Sequence, residues 1–270
     1  MNPLLRTALD AAEAAARVQR RDAAQLATGA VAKGVVEKAR ADYVSQTDLD
    51  AQDAALAVIR ERHPNHDILA EEDGESVEAR LRRWDGRPLW IVDPLDGTTN
   101  FLHGHPFHCA SVAVAVEGRP VAGAVVSGSS GERWWASDGE GAFKGGRRIR
   151  VSDRRRFQDA LVGTGFPFKK LDLMPAYLGQ LDRVLRGSAG VRRAGSAALD
   201  FCFLAQGSLD AFWEEVLMPW DFAAGIVRVR EAGGVLAGPG GRELGLAPGA
   251  VRGANGNEML AALRAALGSG

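Results

Sequence analysis

Two acids close a run of apolar residues in "WIVDPLDGTTNF", residues 90–101, where Asp93 and Asp96 follow Trp90, Ile91 and Val92. A second pair, Glu71 and Glu72, follows "ILA", and Asp221 stands in "PWDFAAG" ahead of another apolar stretch. Carboxylates gathered at strand ends repel one another and raise each other's pKa unless a cation stands among them. Hard oxygen donors of this kind suit Mg²⁺, which takes one or two carboxylates, keeps its waters and accepts phosphate oxygens as further ligands. The turn chemistry agrees. Pro94 fixes its own φ and keeps Asp93 extended, so the chain can fold back and turn Asp93, Asp96 and the Leu95 carbonyl toward one point. Gly97 permits a tight turn, and Thr98 and Thr99 open a helical turn whose exposed N–H groups attract phosphate. The Thr98 hydroxyl is placed to align a water. Taken singly, each segment has a plainer reading: "DPLDG" as a turn, "EEDGE" as a solvated acidic loop, Asp221 as a helix cap. Their joint occurrence after apolar segments points to a corner for metal and phosphate.

The elements that must carry these residues follow from periodicity. Leu4, Leu5, Ala8, Leu9, Ala12 and Ala16 recur at helical spacing near the N-terminus. A second helix starts at "QTDLDAQDAALAVIRERHP", with Thr47 or Asp48 near its beginning and Pro64 beyond its end. "DILA" and "PLWIVD" read as strands, separated by a charge-rich surface loop or frayed helix. From His108 to about Ser152 an antiparallel meander is expected, turning first at Glu117–Pro120. Beyond it strands and helices alternate: "DALVGTGF" and "LDAFWEE" as strands, "MPAYLGQLDRVLR", "SAALDFCFLAQG", "PWDFAAGIVRVREAGG" and "GNEMLAALRAAL" as helices. This order predicts an α+β half, residues 1–153, carrying most of the acids, and an α/β half, residues 154–270, carrying Asp221. "DRRRF" between them reads as a solvated linker, and "GPGGRELG" as a turn, since it lacks the strand and helix of a dinucleotide loop.

Composition narrows the classes further. The 270 residues are 46% hydrophobic and 25% charged, with a formal net charge of -1, which is no electrostatic footprint for direct nucleic-acid binding. The two cysteines, Cys109 and Cys202, offer neither a disulfide framework nor a zinc spacing. No run approaches the ~18 apolar residues of a membrane span, and the N-terminus lacks the order of a secretory signal, so a cytoplasmic protein is expected. His103, His105 and His108 beside Cys109 suggest a soft-metal site at first sight. If His108 opens a strand, however, it and Cys109 face opposite ways, which leaves the histidines to a surface loop or dimer contact. Trp213 and Trp220 read as core or wall residues. Arg192 and Arg193 would reach a substrate phosphate, a second subunit or solvent.

"WIVDPLDGTTNF" with "PWDFAAG" resembles the two signature segments of the inositol monophosphatase family. "ILAEEDGES" is similar to that family's glutamate-bearing segment, and "TGFPFK" and "RRAGSAALDF" resemble its bacterial SuhB-type branch. The similarity runs from the first helix to at least "EAGG". It implies a layered αβαβα sandwich, usually a homodimer, that hydrolyses small phosphate monoesters with two or three Mg²⁺ ions. Carried over, Glu71, Asp93 and the Leu95 carbonyl hold one metal, and Asp93, Asp96 and Asp221 another. Glu71 and Thr98, with Asp48 behind Thr98, orient the attacking water. Glu214 contacts inositol hydroxyls, Gly195, Ser196 and Ala197 make further sugar-side contacts beside Asp96 and Asp221, and Gly97 and Thr98 offer N–H groups to phosphate. Inhibition by lithium comes with the same resemblance. The segment "VVSGSSGERWWA" departs from the family's pattern and is expected as a loop, carrying Trp134 and Trp135, with a role in packing or partner contacts.

Two other functions remain in view. A sister phosphatase would act on histidinol phosphate, fructose 1,6-bisphosphate, NADP or 3′-phosphoadenosine 5′-phosphate, and "DGTTNF" favours the inositol branch over these. An interaction protein of transcription or RNA-processing complexes, with incidental phosphatase activity, is the alternative that the SuhB-type branch implies.

Overall fold

A computed structural model describes residues 2–28, 34–39 and 42–268. Helix α1 (Pro3–Ala27) starts under the Asn2 side chain, which accepts the Leu4 N–H at 2.9 Å. Its buried stripe of Leu5, Ala8, Ala12, Ala15 and Ala16 continues into Gln19. A small hairpin, β1 (Val36–Ala39) and β2 (Asp42–Val44), leads into α2 (Gln46–Arg62), whose first turn is closed by a capping box of Ser45 and Asp48. The charge-rich stretch between the next two strands contains a short helix, α3 (Val77–Arg83), capped by Ser76.

Seven strands form the first sheet in chain order: β3 (Asp67–Ala70), β4 (Leu89–Asp96), β5 (Cys109–Val116), β6 (Arg119–Ser127), β7 (Arg133–Ser137), β8 (Gly141–Lys144) and β9 (Arg147–Ile149). β3 and β4 run parallel, and the rest follow as an antiparallel meander. The central strands are apolar at nearly every position, because helices cover both faces and neither set of side chains meets water. Trp90, Val92, Ala110, Val112, Val114 and Ala124 pack on α1 and α2. Leu89, Ile91, Ala113, Val125 and Trp134 face the other way, toward α6 (Ala197–Ala205) and α7 (Pro219–Glu231).

The second sheet has the order β11-β10-β12-β14-β13, from β10 (Leu161–Thr164), β11 (Gly190–Arg192), β12 (Ala211–Leu217), β13 (Val235–Ala237) and β14 (Gly249–Ala254). Phe212 and Val251 pack on Phe201, Leu204, Phe222 and Val227 of α6 and α7. On its far face, α5 (Met174–Gly187) and α8 (Asn257–Leu267) cover Val162, Ala211, Trp213 and Ala254. The layers therefore run helix, sheet, helix, sheet, helix, with α6 and α7 in the middle. The segment with Trp134 and Trp135 is not a loop. Both residues lie in β7, paired to β6 and β8, and Trp134 is buried with its indole N–H donating to Gln206 Oε1 at 2.9 Å. The aromatic pair alternates across the sheet, and that alternation gives each ring a core to fill.

Candidate active site

Asp93 and Asp96 lie three residues apart in β4, a spacing that would send their side chains to opposite faces of a regular strand. A bulge reverses this: Asp93 pairs with Ser111 but Asp96 with Cys109, so Pro94 and Leu95 make one residue too many for β5. The two carboxylates consequently face the same place. Asp221, the third residue of α7, arrives from the middle layer, and its Oδ2 accepts the Met218 N–H at 2.7 Å. Single carboxylate oxygens of Asp93, Asp96 and Asp221 lie within 4.8 Å of one another, forming the one such group of potential ligands among the described residues. Glu71 begins a 3₁₀ turn immediately after β3, close enough that its charge raises the Asp93 carboxyl.

Each acid is also held from behind. Asp93 Oδ1 accepts the Leu95 N–H at 3.0 Å. Asp96 Oδ2 accepts the Ser196 hydroxyl at 2.6 Å and the Ala198 N–H at 2.8 Å at the start of α6. The helix N-termini of α6 and α7 thus both point toward the cluster, where their dipoles favour negative charge. Gly97 closes the strand with φ of 93°, a left-handed conformation suited to glycine, and a Cβ there would stand 2.9 Å from the Phe107 carbonyl oxygen. Helix α4 (Thr98–Leu102) follows at once. The Thr98 hydroxyl lies 2.9 Å from Asp48 Oδ1 and 3.1 Å from the Leu95 carbonyl oxygen. Asp48 is fixed in turn by the N–H and hydroxyl of Ser45, at 2.7 and 2.6 Å.

The electrostatics are those of uncompensated charge. Burial pushes Glu71 up to about 8, helped by the Asp221 and Glu72 carboxylates. Burial and then Asp96 push Asp221 up to about 8. Burial, then Glu71, Asp96 and Asp221, raise Asp93 well above the carboxylate range. Asp96 is raised by burial although Ser196 and the α6 amides oppose the shift. Asp48 rises to about 6, again by burial. Lys38 and Lys169 lower Glu71 without restoring it. A buried set of hard oxygen donors with this charge deficit fits divalent metal ions.

The residues expected on the substrate side lie beside the same acids. Gly195, Ser196 and Ala197 form the turn into α6, and Ser196 serves as its N-cap and as a donor to Asp96. Glu214 extends from β12 into space left by Gly165, where a Cβ would collide with its carboxylate. Burial, then Asp200 and Asp96, push Glu214 up to about 8. Asp200 was not singled out by sequence reasoning. It lies in "AALDF" on the buried face of α6, and an acid amid four apolar neighbours was the available signal. Arg193 stacks over Phe166 and Phe168, 5.1 and 4.6 Å from the ring centres, and offsets Asp200 and Glu214. His108 is buried, not part of a surface loop: its Nδ1 meets Gln19 Oε1 at 3.0 Å, while the Cys109 thiol turns toward Asp96 and Ser196.

A five-layer sandwich with carboxylates converging from strand bulge, 3₁₀ turn and helix start belongs to the metal-dependent phosphatase class. Residues 1–269 match the inositol monophosphatase family, and the chain belongs to that family. It is 41% identical over 239 residues to the Nus factor SuhB of Pseudomonas aeruginosa, covering 88% of this chain and 86% of the relative. It is also 41% identical over 223 residues to the inositol-1-monophosphatase of Mesorhizobium japonicum, covering 83% and 81% of the two chains. The crystal structure of the extragenic suppressor protein suhB from Bartonella henselae superimposes with a TM-score of 0.89 at 37% identity, covering 100% of both chains.

Proposed function

We propose that the protein hydrolyses inositol monophosphate to inositol and phosphate with Mg²⁺. The observation that carries this reading is the Asp93–Asp96–Asp221 convergence, with Glu71 beside it and Thr98 backed by Asp48. Glu71, Asp93 and the Leu95 carbonyl would hold one ion, and Asp93, Asp96 and Asp221 another. Bound there, Mg²⁺ supplies a water of lowered pKa and charge stabilisation for the leaving alkoxide. Glu71 and Thr98 orient that water; Asp48, an acceptor, makes the Thr98 hydroxyl a donor toward it, leaving its lone pairs available. The N–H groups of Gly97 and Thr98 bind the phosphate. Glu214, with the turn Gly195–Ala197, orients the polyol by accepting hydrogen bonds from its hydroxyls. A homodimeric assembly, lithium sensitivity and a cytoplasmic location go with this reading. The test is a panel of monoesters, with inositol 1-phosphate beside histidinol phosphate, fructose 1,6-bisphosphate, NADP and 3′-phosphoadenosine 5′-phosphate. The highest kcat/KM on the inositol ester supports the assignment, and a higher value on any other moves the protein to that sister activity.

A second reading draws on the relatives named Nus factor SuhB, at 39–41% identity. On it, the chain also joins a transcription complex through a protein partner.

A further inference from the structure

Beneath the bulge of β4 lies a polar contact that the proposed reaction does not use. Gln19 is 0% exposed, on a face of α1 that otherwise presents Leu5 and alanines. Its Nε2 donates to the Pro94 carbonyl oxygen at 2.6 Å, and its Oε1 stands 3.0 Å from His108 Nδ1. For both contacts to be hydrogen bonds, Nδ1 must carry the proton of the imidazole. His108 is itself buried, its ring set edge-on to Phe101 with centroids 5.3 Å apart. The space is shaped around the pair. The His108 carbonyl accepts the Gly128 N–H at 3.0 Å, and a Cβ on Gly128 would collide with both the Gln19 amide and the His108 ring.

The partner that Gln19 selects is significant. Pro94 and Leu95 form the bulge, and the bulge is what turns Asp93 and Asp96 to the same side. A buried carbonyl without a partner is costly, and a turn free to relieve that cost would rotate the acids flanking it. We propose that Gln19, anchored by His108, is a positioning residue for metal binding: it fixes the Pro94 carbonyl and with it the orientation of Asp93, Leu95 and Asp96. This rests on the metal assignment above. Groups that orient metal ligands from behind commonly contribute ~10–100-fold to affinity.

The test is Mn²⁺ binding to the full chain, followed by calorimetry at a temperature where every variant is folded. Gln19→Met keeps the length of the side chain and removes both hydrogen bonds. It is expected to weaken Mn²⁺ binding ~10-fold or more, with substrate KM at saturating metal unchanged. Thr7→Val is the control, since it removes a contact of 3.0 Å to His63 from the same helix, away from the turn. It should bind Mn²⁺ like the wild type even if it loses comparable thermal stability. Gln19→Met binding within about twofold of wild type would overturn the proposal. Should that variant fail to fold, His108→Asn and His108→Leu decide the matter. Asparagine can restore the bond to Gln19 and should preserve affinity, whereas leucine should lose ~10-fold; equal affinities overturn it. A wild-type protein that binds no Mn²⁺ removes the metal assignment itself, a result distinct from a silent Gln19 variant.

Discussion

At the scale of single residues, the acids of the cleft are individually unfavourable and collectively useful. Asp93 makes the case most clearly, because it is buried, feels the Glu71 charge and neighbours both other aspartates. Asp93→Asn should reduce turnover by more than ~100-fold, since it removes a proposed direct ligand and the loss of groups behind such ligands alone reaches that size. The same crowding fixes the pH dependence of the metal-free protein. Glu71 and Asp221 have folded pKa values of about 8, above their unfolded values, so the folded state holds protons that the unfolded chain has released. Their stabilising contribution is complete below the unfolded pKa and is lost as pH rises through about 8. His63, His66 and His108 have lowered pKa values and act oppositely, costing stability as pH falls below the usual imidazole range. Thermal melts of the metal-free chain above that range should therefore show Tm falling toward pH 9, about one unit past the carboxylate midpoints. Mg²⁺ should raise Tm more at the alkaline end, where protons no longer compete for the carboxylates. A Tm that rises with pH above the imidazole range in the metal-free protein would contradict this.

At the scale of elements, the middle layer governs whether Asp221 reaches the two strand acids. Helix α7 comes so close to β6 that a Cβ on Gly123 would stand 2.8 Å from Ala224 Cα. Gly123→Ala should cost about 1–3 kcal/mol by overpacking and weaken metal activation, because α7 must shift and Asp221 moves with it. Chemical unfolding and an Mg²⁺ activation curve check both parts; unchanged values would mean that the helix position does not matter. The elements also show where the sequence could be read. The long amphipathic helices and the apolar strands β4 to β6 were legible because each has one clear period or one unbroken apolar run. The hairpin β1–β2 and the strands β11 and β13 are three or four residues long, too short for a period to register. Strand β14, "GAVRGA", is glycine-rich and owes its place to pairing with β12 and β13. The bulge was invisible for a related reason. "DPLDG" announced a turn, but only the pairing of Asp93 with Ser111 and Asp96 with Cys109 shows how two acids come to share a face. Gln19 had a signal that went unused, since it continues the stripe of Ala8, Ala12 and Ala16 at helical spacing and is the polar member of a buried face.

At the scale of the whole molecule, the carboxylates are drawn from both sheets and the helices between them. Glu71, Asp93 and Asp96 come with the seven-stranded sheet, Asp221 with the central layer and Glu214 with the five-stranded sheet. The site consequently exists only when all three layers are assembled, and ligand binding should stabilise the molecule as a unit. At 100 times its dissociation constant, a metal would add about 2.7 kcal/mol of stability. The transcription reading makes a separate demand at this scale. If partner binding uses the outside of the sandwich, Asp93→Asn protein should still co-purify with transcription machinery as the wild type does. Loss of both together would tie the partner to the metal site.

The central claim is that the acid cluster binds a divalent cation that hydrolysis requires. Phosphate release from inositol 1-phosphate, followed against Mg²⁺ concentration for the wild type and for Asp93→Asn, tests it most directly. The account predicts saturable Mg²⁺ activation in the wild type, suppressed by lithium, and none in the variant. Equal turnover by the two proteins, or turnover indifferent to Mg²⁺, would contradict it.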